Sequence, residues 1–495
     1  MNLIHQLEER ATMHPDRTAL IDKNRVISYS KLYQEVANGA HFLKSNGLQK
    51  GDCILIIEPI SIDLYIHLLS AFHAGMTVML IDPSVGKKVI QHNLTLHQVD
   101  GFIGSPKAHL LRLIIPKIRQ IHHIFHTTKW MPLSKKWNTN TSGQDLPQPT
   151  QVNKDTPALI TFTSGSTGMP KAACRTHGFL TAQHTALSSA LAFEEGAVDL
   201  ITLPVFAIAN LASGMTSVIA NTDLRVPAQA DSAAIREQCL THNITRCAAS
   251  PAFFQKLHQD HCLDELKTIY TGGAPVFPHL LDNIQRNHPE LGIITVYGST
   301  EAEPISHIAW NEITEKDHQA MKNGKGLLVG EPVPETKVMI HQPAEDGIGQ
   351  ITVTGEHVLK GYLNGIGDDE TKISHKGDIW HLTGDMGYLD TMGRLWLMGR
   401  ESAVFQIGER MIYPFGIECA VMQHPMVHRC AVVQHNDRHL LCLEGDGDLE
   451  AKEQDFSEYD YLEFTQVNQI PMDRRHNAKI DYPALHSMLD ETPTK

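Results

Sequence analysis

The sequence predicts a large α/β protein with mostly parallel sheets, and three observations carry this prediction. Short apolar runs of strand length, such as Cys53–Ile57 and Val78–Ile81, alternate with helical patterns such as Tyr65–Ala74. Runs that are apolar throughout are typical of strands buried on both faces, as in parallel sheets. The chain also has 495 residues, more than one ordinary domain and enough for a large buried core.

The remaining elements follow in order along the chain. The amino-terminal segments Asn2–Asp22 and Ile27–Tyr29 have a helix-and-strand pattern. Residues 130–156 are rich in polar residues, glycine and proline, which predicts a loop. The alternation of strand and helix patterns then returns at 200–203, 232–242 and 246–249. This alternation of strands and helices favours an architecture in which helices pack in layers on a sheet.

The sequence pattern changes between Lys337 and Trp396. Short apolar stretches there are separated by glycine turns, which predicts a small β-barrel-like subdomain. A boundary is expected near Gly399–Ser402, after which about a hundred residues remain. The sequence therefore indicates a large first part and a small carboxy-terminal domain.

Composition excludes several classes of protein. The chain carries 42 basic and 56 acidic residues, a formal net charge of −14, without a long basic run. This balance disfavours nucleic-acid and anionic-membrane partners. The sequence has no apolar run long enough for a transmembrane segment, and its amino terminus lacks the apolar region of a signal peptide. Its 8 cysteines form no CxxC pair, which indicates a reduced, cytoplasmic location.

A phosphate-binding loop is the strongest local signal. Residues 161–171 combine hydroxyl side chains, two glycines and a terminal lysine, directly after the apolar run Ala158–Ile160. Glycines let backbone amides approach an anion, hydroxyls donate hydrogen bonds, and Lys171 adds positive charge. The spacing differs from the Walker A motif, so an ordinary P-loop NTPase is disfavoured. The predicted phosphate contacts are Thr163, Ser164, Gly165, Ser166, Thr167, Gly168 and Lys171.

Two later motifs contain residues that are suited to binding a nucleotide. Val296–Glu301 places an aromatic ring, a glycine, hydroxyls and a carboxylate together after an apolar run. A tyrosine ring can stack on a purine, and a glutamate offers the hard oxygen that Mg²⁺ prefers. Further on, Asp385 precedes Arg400 across a turn at 390–393, and an aspartate there can accept hydrogen bonds from ribose hydroxyls.

Together these motifs resemble the adenylate-forming superfamily, which includes acyl-CoA synthetases, adenylation domains of nonribosomal peptide synthetases and beetle luciferases. The resemblance extends over nearly the whole chain. The motifs that carry it occur in this order: 163–171, 272–275, 297–301, 383–385, 399–400 and 473–480. The resemblance implies a large amino-terminal domain with mostly parallel sheets over 1–399, a hinge at 400–402, and a mobile α+β lid over 403–495.

The resemblance also implies a role for each motif. The phosphate loop would hold the β- and γ-phosphates of ATP. Tyr297 would stack on adenine, Thr300 would contact the α-phosphate and Glu301 would hold Mg²⁺. Lys479 would be the mobile catalytic lysine that bridges the acid and the α-phosphate, where a cation stabilises the transition state. The further nucleotide-binding residues implied are Gly273, Ala274, Pro275, Gly298, Ser299, Asp385 and Arg400.

The implied reaction is attack of a carboxylate on the α-phosphorus of ATP, which gives an acyl adenylate and pyrophosphate. Most family members then transfer the acyl group to a thiol, either of CoA or of the pantetheine arm of a carrier protein. Catalysis of the reaction at phosphorus comes almost entirely from positioning of the reactants and from electrostatic stabilisation. ATP and Mg²⁺ are therefore the expected cofactors, and a carboxylic acid is the expected substrate.

Departures from the family pattern limit the classes of acid that are expected as the substrate. Phe206 stands where the family often has a histidine, and no aspartate precedes 207–214 where amino-acid-activating members hold an α-amino group. We therefore expect an acid without an α-ammonium group: a fatty, β-hydroxy or aryl acid. Phe206, Asn210 and Val296 are the expected pocket-lining residues. Ser402 is the hinge candidate, because the usual Asp or Lys is replaced by Glu401-Ser402.

Two alternatives stay open from the sequence. The run Arg475-His476-Asn477-Ala478-Lys479 resembles that of bacterial β-lactone synthetases of olefin biosynthesis, in which a β-hydroxy acid closes its own ring from the adenylate. The other alternative is an inactive module that binds a nucleotide or acyl adenylate. The presence of Lys171, Glu301 and Lys479 disfavours the inactive module. Oxidation of the adenylate in the manner of luciferase would need a special substrate.

Overall fold

The computed structural model describes residues 2–127, 131–139, 146–163, 170–447, 450–472 and 480–491. The α-helices are α1 Ile4–Met13, α2 Tyr29–Ser45, α3 Ile62–His73, α4 Lys87–Leu96, α5 Pro106–His109, α6 Leu111–Ile114, α7 Pro116–Arg119, α8 His177–Leu191, α9 Pro204–Ala212, α10 Ser232–His242, α11 Pro251–Gln259, α12 Pro278–Asn287, α13 Glu315–Lys322, α14 Asp368–Thr371, α15 Pro414–Val421 and α16 Tyr482–Glu491. Short 3₁₀ turns lie at Pro83–Val85, Pro227–Gln229, Trp310–Glu312, Leu363–Gly365, Glu401–Ala403 and Glu450–Tyr459.

The strands alternate with these helices. They are β1 Thr18–Ile21, β2 Val26–Ser28, β3 Cys53–Ile57, β4 Thr77–Leu80, β5 Gly101–Gly104, β6 His123–His126, β7 Lys135–Lys136, β8 Pro157–Thr163, β9 Lys171–Thr176, β10 Val198–Ile201, β11 Thr216–Ile219, β12 Arg246–Ala249, β13 Thr268–Gly272, β14 Gly292–Ser299, β15 Ala302–Ala309, β16 Leu327–Pro332, β17 Lys337–His341, β18 Gly349–Thr354, β19 Lys372–His375, β20 Asp378–Leu389, β21 Leu395–Arg400, β22 Phe405–Ile407, β23 Arg410–Ile412, β24 Val427–His435, β25 Arg438–Gly445 and β26 Glu463–Gln466.

The chain divides into two compact units. The first contains Met1–Ala220, Thr300–Glu303 and Gly355–His381, and the second contains Asn221–Ser299, Pro304–Thr354 and Leu382–Lys495. The hinge that the sequence predicts at 400–402 lies inside the second unit. The division into 1–399, 400–402 and 403–495 therefore describes a different partition of the chain and stays a prediction.

The first unit contains a sheet of order β7-β6-β5-β3-β4-β8-β9, parallel except for the antiparallel pair β8–β9. Every residue of β3 is buried, as its apolar run predicts. Leu55, Met79 and Phe102 from its central strands belong to one buried cluster. A second set of strands, β10-β11-β1-β2, lies in the same unit. The predicted parallel α/β architecture is confirmed.

Local sequence explains where the helices of this unit begin. The hydroxyl of Ser61 accepts a hydrogen bond from the Leu64 amide at the start of α3, and Pro204 occupies the first turn of α9. Thr176 ends β9 and caps α8 by accepting from the Phe179 amide at 3.1 Å. The strand that begins at Lys171 therefore passes directly into a capped helix, which fixes the carboxyl end of β9.

In the second unit, β12, β13 and β14 are parallel neighbours. The segment from Lys337 to Trp396, predicted as a small β-barrel-like subdomain of short strands, forms the antiparallel pairs β17–β18 and β20–β21 in this unit, whereas the pairing of β19 with residues 378–381 of β20 lies in the first unit. A smaller sheet of order β24-β25-β26 packs with α15, and Ile417, Val432 and Leu441 share its buried core. Among the described residues, no helix combines the length and apolar character needed to cross a membrane.

Candidate active site

The phosphate-loop prediction falls on the β8–β9 hairpin of the first unit. Thr163, the last residue of β8, pairs with Lys171, the first residue of β9. Ser164, Gly165, Ser166, Thr167 and Gly168 lie outside the described residues. The hairpin thus brings together the two ends of the predicted loop.

Lys171 belongs to a group of charged and aromatic side chains in the first unit. Its Nζ lies 3.1 Å from Glu370 Oε2 and 5.5 Å from the centroid of the Tyr362 ring. The Nζ of Lys372 lies 5.3 Å from the same centroid. The Tyr362 hydroxyl donates to Glu301 Oε1 at 2.5 Å. We call Lys171, Glu301, Tyr362, Lys372 and His381 the lysine–tyrosine cluster.

The cluster keeps its carboxylate ionised. Burial opposes the charge on Glu301, but the hydrogen bond from Tyr362 and the charges of His381 and Lys372 hold its pKa below the usual value. Burial lowers the pKa of Lys372 to about 8, against the charges of Glu301 and Asp368. Burial and the charge of Lys372 also lower the pKa of His381. At neutral pH the cluster therefore holds a carboxylate, a neutral imidazole and a mostly protonated Lys372.

Glu301 fits a magnesium ion that shares its ligands with a substrate. Within the described ranges no group of three or more His, Cys, Asp or Glu side chains could hold a metal by itself. Mg²⁺ commonly binds through one or two carboxylates plus substrate phosphates, with water completing its shell. An ionised Glu301 can supply that carboxylate, and the two lysines near the ring of Tyr362, which donates to Glu301, can bind the phosphates.

The second unit holds a different polar group. The Tyr297 hydroxyl donates to Asp385 Oδ2 at 2.7 Å, and Arg400 Nε lies 3.2 Å from Asp385 Oδ1. Arg400 also donates to the Thr383 carbonyl at 3.2 Å. Register explains this contact, because Asp385 of β20 pairs directly with Arg400 of β21. We call Tyr297, Thr383, Asp385 and Arg400 the tyrosine–aspartate cluster.

The predicted adenine-binding segments are also neighbours. Gly272, at the end of β13, pairs with Val296 of β14, and a Cβ on Gly272 would meet the Val296 carbonyl oxygen at 2.2 Å. Gly273 follows with φ of +76°, a conformation that favours glycine. The turn formed by Gly273, Ala274 and Pro275 thus leaves the sheet beside the strand that carries Val296, Tyr297, Gly298 and Ser299.

The other predicted residues are placed as follows. Phe206 and Asn210 are buried on α9, and the Asn210 amide donates to Asp199 at 2.9 Å and to Ser217 at 3.1 Å. Their role in an acid pocket stays a prediction. Ser402 is exposed in the 3₁₀ turn Glu401–Ala403. Lys479 lies outside the described residues, after Met472 and before Ile480, which form a β-bridge.

The sequence matches the family model of AMP-binding enzymes over residues 7–363. The chain belongs to this family. It is accordingly an ATP-using, AMP-forming ligase of the adenylate-forming superfamily, and the resemblance carried by its motifs is confirmed.

Individual AMP-binding enzymes and related proteins show how far the similarity extends. An olefin β-lactone synthetase of Stenotrophomonas maltophilia is 27% identical over 460 residues, with 84% of this chain and 82% of that protein covered. A 2-succinylbenzoate–CoA ligase of Bacillus licheniformis is 28% identical over 426 residues, covering 85% and 84%. The structure of an amide bond synthetase from Marinactinospora thermotolerans superposes with a TM-score of 0.81 at 18% identity, covering 98% and 99%. This last similarity concerns the fold.

Within this AMP-binding enzyme, sequence reasoning missed part of the lysine–tyrosine cluster. Tyr362, Lys372, His381 and Glu370 were not among the predicted site residues. The acidic run 368–370 was a signal in the sequence that could have drawn attention to this segment. Nothing local indicated that the segment contacts Glu301.

Proposed function

We propose that this enzyme uses ATP and Mg²⁺ to adenylate a carboxylic acid and then transfers the acyl group to a thiol of CoA or of a carrier-protein pantetheine. The observation that carries the proposal is the lysine–tyrosine cluster, in which the Tyr362 hydroxyl donates to an ionised Glu301 and the Nζ atoms of Lys171 and Lys372 lie 5.5 and 5.3 Å from the centroid of the Tyr362 ring. Such a site suits the phosphates of ATP and a metal ion bound to them.

The first step forms an acyl adenylate. A carboxylate oxygen of the acid bonds to the α-phosphorus of ATP, and the bond from that phosphorus to the α,β-bridging oxygen breaks as pyrophosphate leaves. Glu301 would hold Mg²⁺, which neutralises phosphate charge. Lys171 and Lys372 would stabilise charge on phosphate oxygens, and Lys479 would do so at the reacting centre.

The nucleoside would be held by the tyrosine–aspartate cluster. Asp385 and Arg400 would bind the ribose hydroxyls, while the Tyr297 ring would stack on adenine beside Gly273, Ala274 and Pro275. Ser299 supports this assignment, because its buried Oγ has no hydrogen-bond partner within the described part of the chain. A bound ligand would satisfy such an atom.

The second step transfers the acyl group. The thiol sulfur bonds to the carbonyl carbon, AMP leaves with the electron pair of the broken bond, and the thiol proton is released. Residues 403–495 would act as the lid that moves about Ser402 between the two steps and keeps water from the adenylate. The 8 free cysteines support a cytoplasmic location.

The substrate is an acid without an α-ammonium group. Phe206 lies on α9, which begins at Pro204, and that helix has the apolar sequence PVFAIANLA. A charged ammonium group would be costly to bury against such a surface. Fatty, β-hydroxy and aryl acids fit this chemistry, and the similar CoA ligase is named for 2-succinylbenzoate, an aryl acid.

Ring closure to a β-lactone is the second candidate. Two observations favour it: the run Arg475–Lys479, and the similarity to an olefin β-lactone synthetase over 84% of the chain. In this route the hydroxyl of a β-hydroxy acyl adenylate attacks its own carbonyl carbon and AMP leaves. No thiol is consumed.

ATP–pyrophosphate exchange tests the proposal. Wild type, Lys479→Ala and the control Lys316→Ala, which alters an exposed lysine of α13, are compared with straight-chain, β-hydroxy, aryl and amino acids. We expect exchange with one of the first three classes, lost in Lys479→Ala and kept in Lys316→Ala. Absence of exchange with all acids would contradict adenylation. Product formation without any thiol would favour the β-lactone over thiol transfer.

A further inference from the structure

Arg175 is a buried arginine that the motifs do not include. It lies on β9, four residues after Lys171, and its exposed fraction is 8%. Its Nη1 donates to the Thr161 hydroxyl at 2.6 Å, and its Nη2 donates to the Thr300 carbonyl at 2.7 Å. The guanidinium carbon lies 5.7 Å from the centroid of the Phe179 ring.

These contacts join two segments with predicted roles in ATP binding. Thr161 lies in β8, two residues before Thr163, where the phosphate loop begins. The Thr300 carbonyl belongs to the peptide that connects Thr300 to Glu301. One planar guanidinium therefore fixes the strand before the loop and the peptide that directs the Glu301 side chain, and its rigid fork suits such a double contact.

A second arginine, partly buried, differs from Arg175 in its hydrogen-bond acceptors. Arg394, in the second unit, donates to both oxygens of Asp317 at 3.0 and 2.7 Å and to Asp390 at 2.8 Å. These carboxylates raise the pKa of Arg394, and the largest contribution comes from the hydrogen bonds that Arg394 donates to Asp317. The two acceptors of Arg175 are neutral oxygens, and burial lowers its pKa. The charges of Glu303 and Glu301 oppose this effect of burial, but the direct hydrogen bonds of Arg175, unlike those of Arg394, go to neutral oxygens of the two segments.

The segment after Thr300 is held from other directions as well. The Leu359 amide donates to the Glu301 carbonyl at 2.8 Å, and Gln183 donates to the Glu303 carbonyl at 3.3 Å. Burial raises the pKa of Glu303, and the charge of Arg175 opposes this effect. Hydrogen bonds therefore hold this segment at the carbonyl oxygens of Thr300, Glu301 and Glu303. Of these residues, Thr300 is the one predicted to contact the α-phosphate.

We propose that Arg175 is a positioning residue for adenylation, which holds the Thr300–Glu301 peptide and the base of the phosphate loop in the geometry that the reaction requires. This inference rests on the proposed function. Arg175 touches neither substrate nor metal in this role and acts through Thr161, Thr300 and Glu301. Small displacements of such groups lower the rate on the order of 100-fold.

The test uses the full-length enzyme and three variants. Arg175→Met removes both hydrogen bonds and the charge, Arg175→Lys keeps the charge but not the fork, and Thr161→Val removes one acceptor at nearly constant volume. Arg394→Met is the matched control, because it removes a partly buried arginine that is bound to carboxylates. Kinetics of exchange, the Mg²⁺ concentration for half-maximal rate, and the rise in Tm that MgATP gives over ATP alone are measured.

We expect Arg175→Met to lower kcat for exchange on the order of 100-fold. It should raise the half-maximal Mg²⁺ concentration about 10-fold and reduce the additional Tm rise from MgATP. Arg175→Lys should recover part of each effect, and Thr161→Val should lower kcat by about 5- to 10-fold. Arg394→Met should lower Tm and leave kcat and the Mg²⁺ dependence of the folded enzyme unchanged.

Unchanged kcat and Mg²⁺ dependence in Arg175→Met, or in Thr161→Val if Arg175→Met does not fold, would overturn the positioning role. Equal losses in Arg175→Met and Arg394→Met would do the same, because they would indicate a stability effect. Absence of exchange in the wild-type enzyme would instead overturn the proposed function. The two failures are therefore distinguishable.

Discussion

Glu301 and Glu418 are two glutamates whose pKa values are shifted in opposite directions. Glu301 in the first unit is half-buried and accepts a hydrogen bond from Tyr362 beside Lys372 and His381, and its pKa is lowered. Glu418, on α15 of the second unit, is 4% exposed and accepts from the Val432 amide at 2.9 Å. Burial raises its pKa to about 7.

The difference lies in the surroundings, because burial acts in the same direction on both carboxyls. Cationic and hydroxyl neighbours overcome burial at Glu301, whereas one backbone amide does not at Glu418. A carboxylate kept charged in this way is suited to hold a cation, and a carboxyl that gains a proton on burial is suited to the interior. We therefore expect a change at Glu301 to affect activity and a change at Glu418 to affect stability.

Glu301→Gln should give the largest effect. The amide keeps the size of the side chain but removes the charge proposed to hold Mg²⁺, so we expect kcat for exchange to fall by on the order of 100- to 1,000-fold with Tm nearly unchanged. Steady-state exchange kinetics at several Mg²⁺ concentrations measure this. Glu312→Gln, at an exposed glutamate, is the control. A small loss in Glu301→Gln would show that the lowered pKa of Glu301 has no catalytic use.

Glu418→Gln should change the dependence of stability on pH. Because the pKa rises from 4.5 to about 7 on folding, the folded state binds more protons between these values, and wild-type stability falls as pH rises through this range. The cost at pH 8 is roughly 3 kcal/mol, which the amide avoids while still accepting from Val432. We expect the variant to gain stability over wild type at pH 8 and not at pH 4.5.

Urea unfolding of both proteins at the two pH values measures this difference. Glu409→Gln, at an exposed glutamate of the same unit, should follow wild type at each pH. A gain of equal size at pH 4.5 and pH 8 would contradict burial of a titrating carboxyl and would point to a packing effect. Exchange activity of Glu418→Gln at a pH where both proteins are folded should equal that of wild type.

How much of this could be predicted from the sequence depends on whether the signal is local. The strand predicted at Cys53–Ile57 is present, and the helix predicted over Tyr65–Ala74 is observed over Ile62–His73, beginning earlier because Ser61 caps it. Glu301 was also predicted, from a motif. Its contact with Tyr362, however, spans 61 positions, and that of Arg175 with Thr300 spans 125.

Such long-range pairs depend on strand order, which no local pattern encodes. The lowered pKa of Glu301 depends on its long-range contact with Tyr362, whereas burial raises the pKa of Glu418, so local pattern alone could predict neither shift. Motif resemblance identified Glu301, and the structure supplied the reason that its carboxyl stays charged. For Glu418 the sequence contained no signal, since a single glutamate within an apolar helix start has many interpretations.

Tyr362→Phe should make the carboxyl of Glu301 more like that of Glu418, because it removes a hydrogen bond that stabilises the charged form. The variant keeps the ring between Lys171 and Lys372 but removes the hydroxyl that donates to Glu301. A residue that orients a metal ligand typically contributes 10- to 100-fold in metal affinity or activity, so we expect about a 10-fold rise in the half-maximal Mg²⁺ concentration. The kcat at saturating Mg²⁺ should change less than about 3-fold.

Mg²⁺ titration of the exchange rate measures the effect. Tyr388→Phe is the matched control, because its hydroxyl donates to the Lys325 carbonyl in the second unit. An unchanged Mg²⁺ dependence in Tyr362→Phe would mean that the lysines alone keep Glu301 effective. A loss of kcat at all Mg²⁺ concentrations would assign the hydroxyl to the reaction and not to the metal.

Glu370→Gln should give the smallest effect. The Glu370 carboxylate contacts Lys171 Nζ at 3.1 Å, and its side chain is 60% exposed. In that position it competes with a phosphate group for the same cation, but an ion pair with an exposed partner contributes at most about 1 kcal/mol. We therefore expect the KM for ATP to fall by about 2- to 3-fold with kcat unchanged. Raising the ionic strength should reduce this advantage, because exposed charges are screened.

Asp369→Asn is the matched control, since it removes the neighbouring exposed carboxylate on the same helix, α14. Equal effects from Asp369→Asn and Glu370→Gln would indicate general electrostatic attraction of ATP and not release of Lys171. A rise in the KM for ATP would mean that Glu370 orients Lys171 for the phosphate. In that case Glu370 would support Lys171 in the way that Tyr362 supports Glu301.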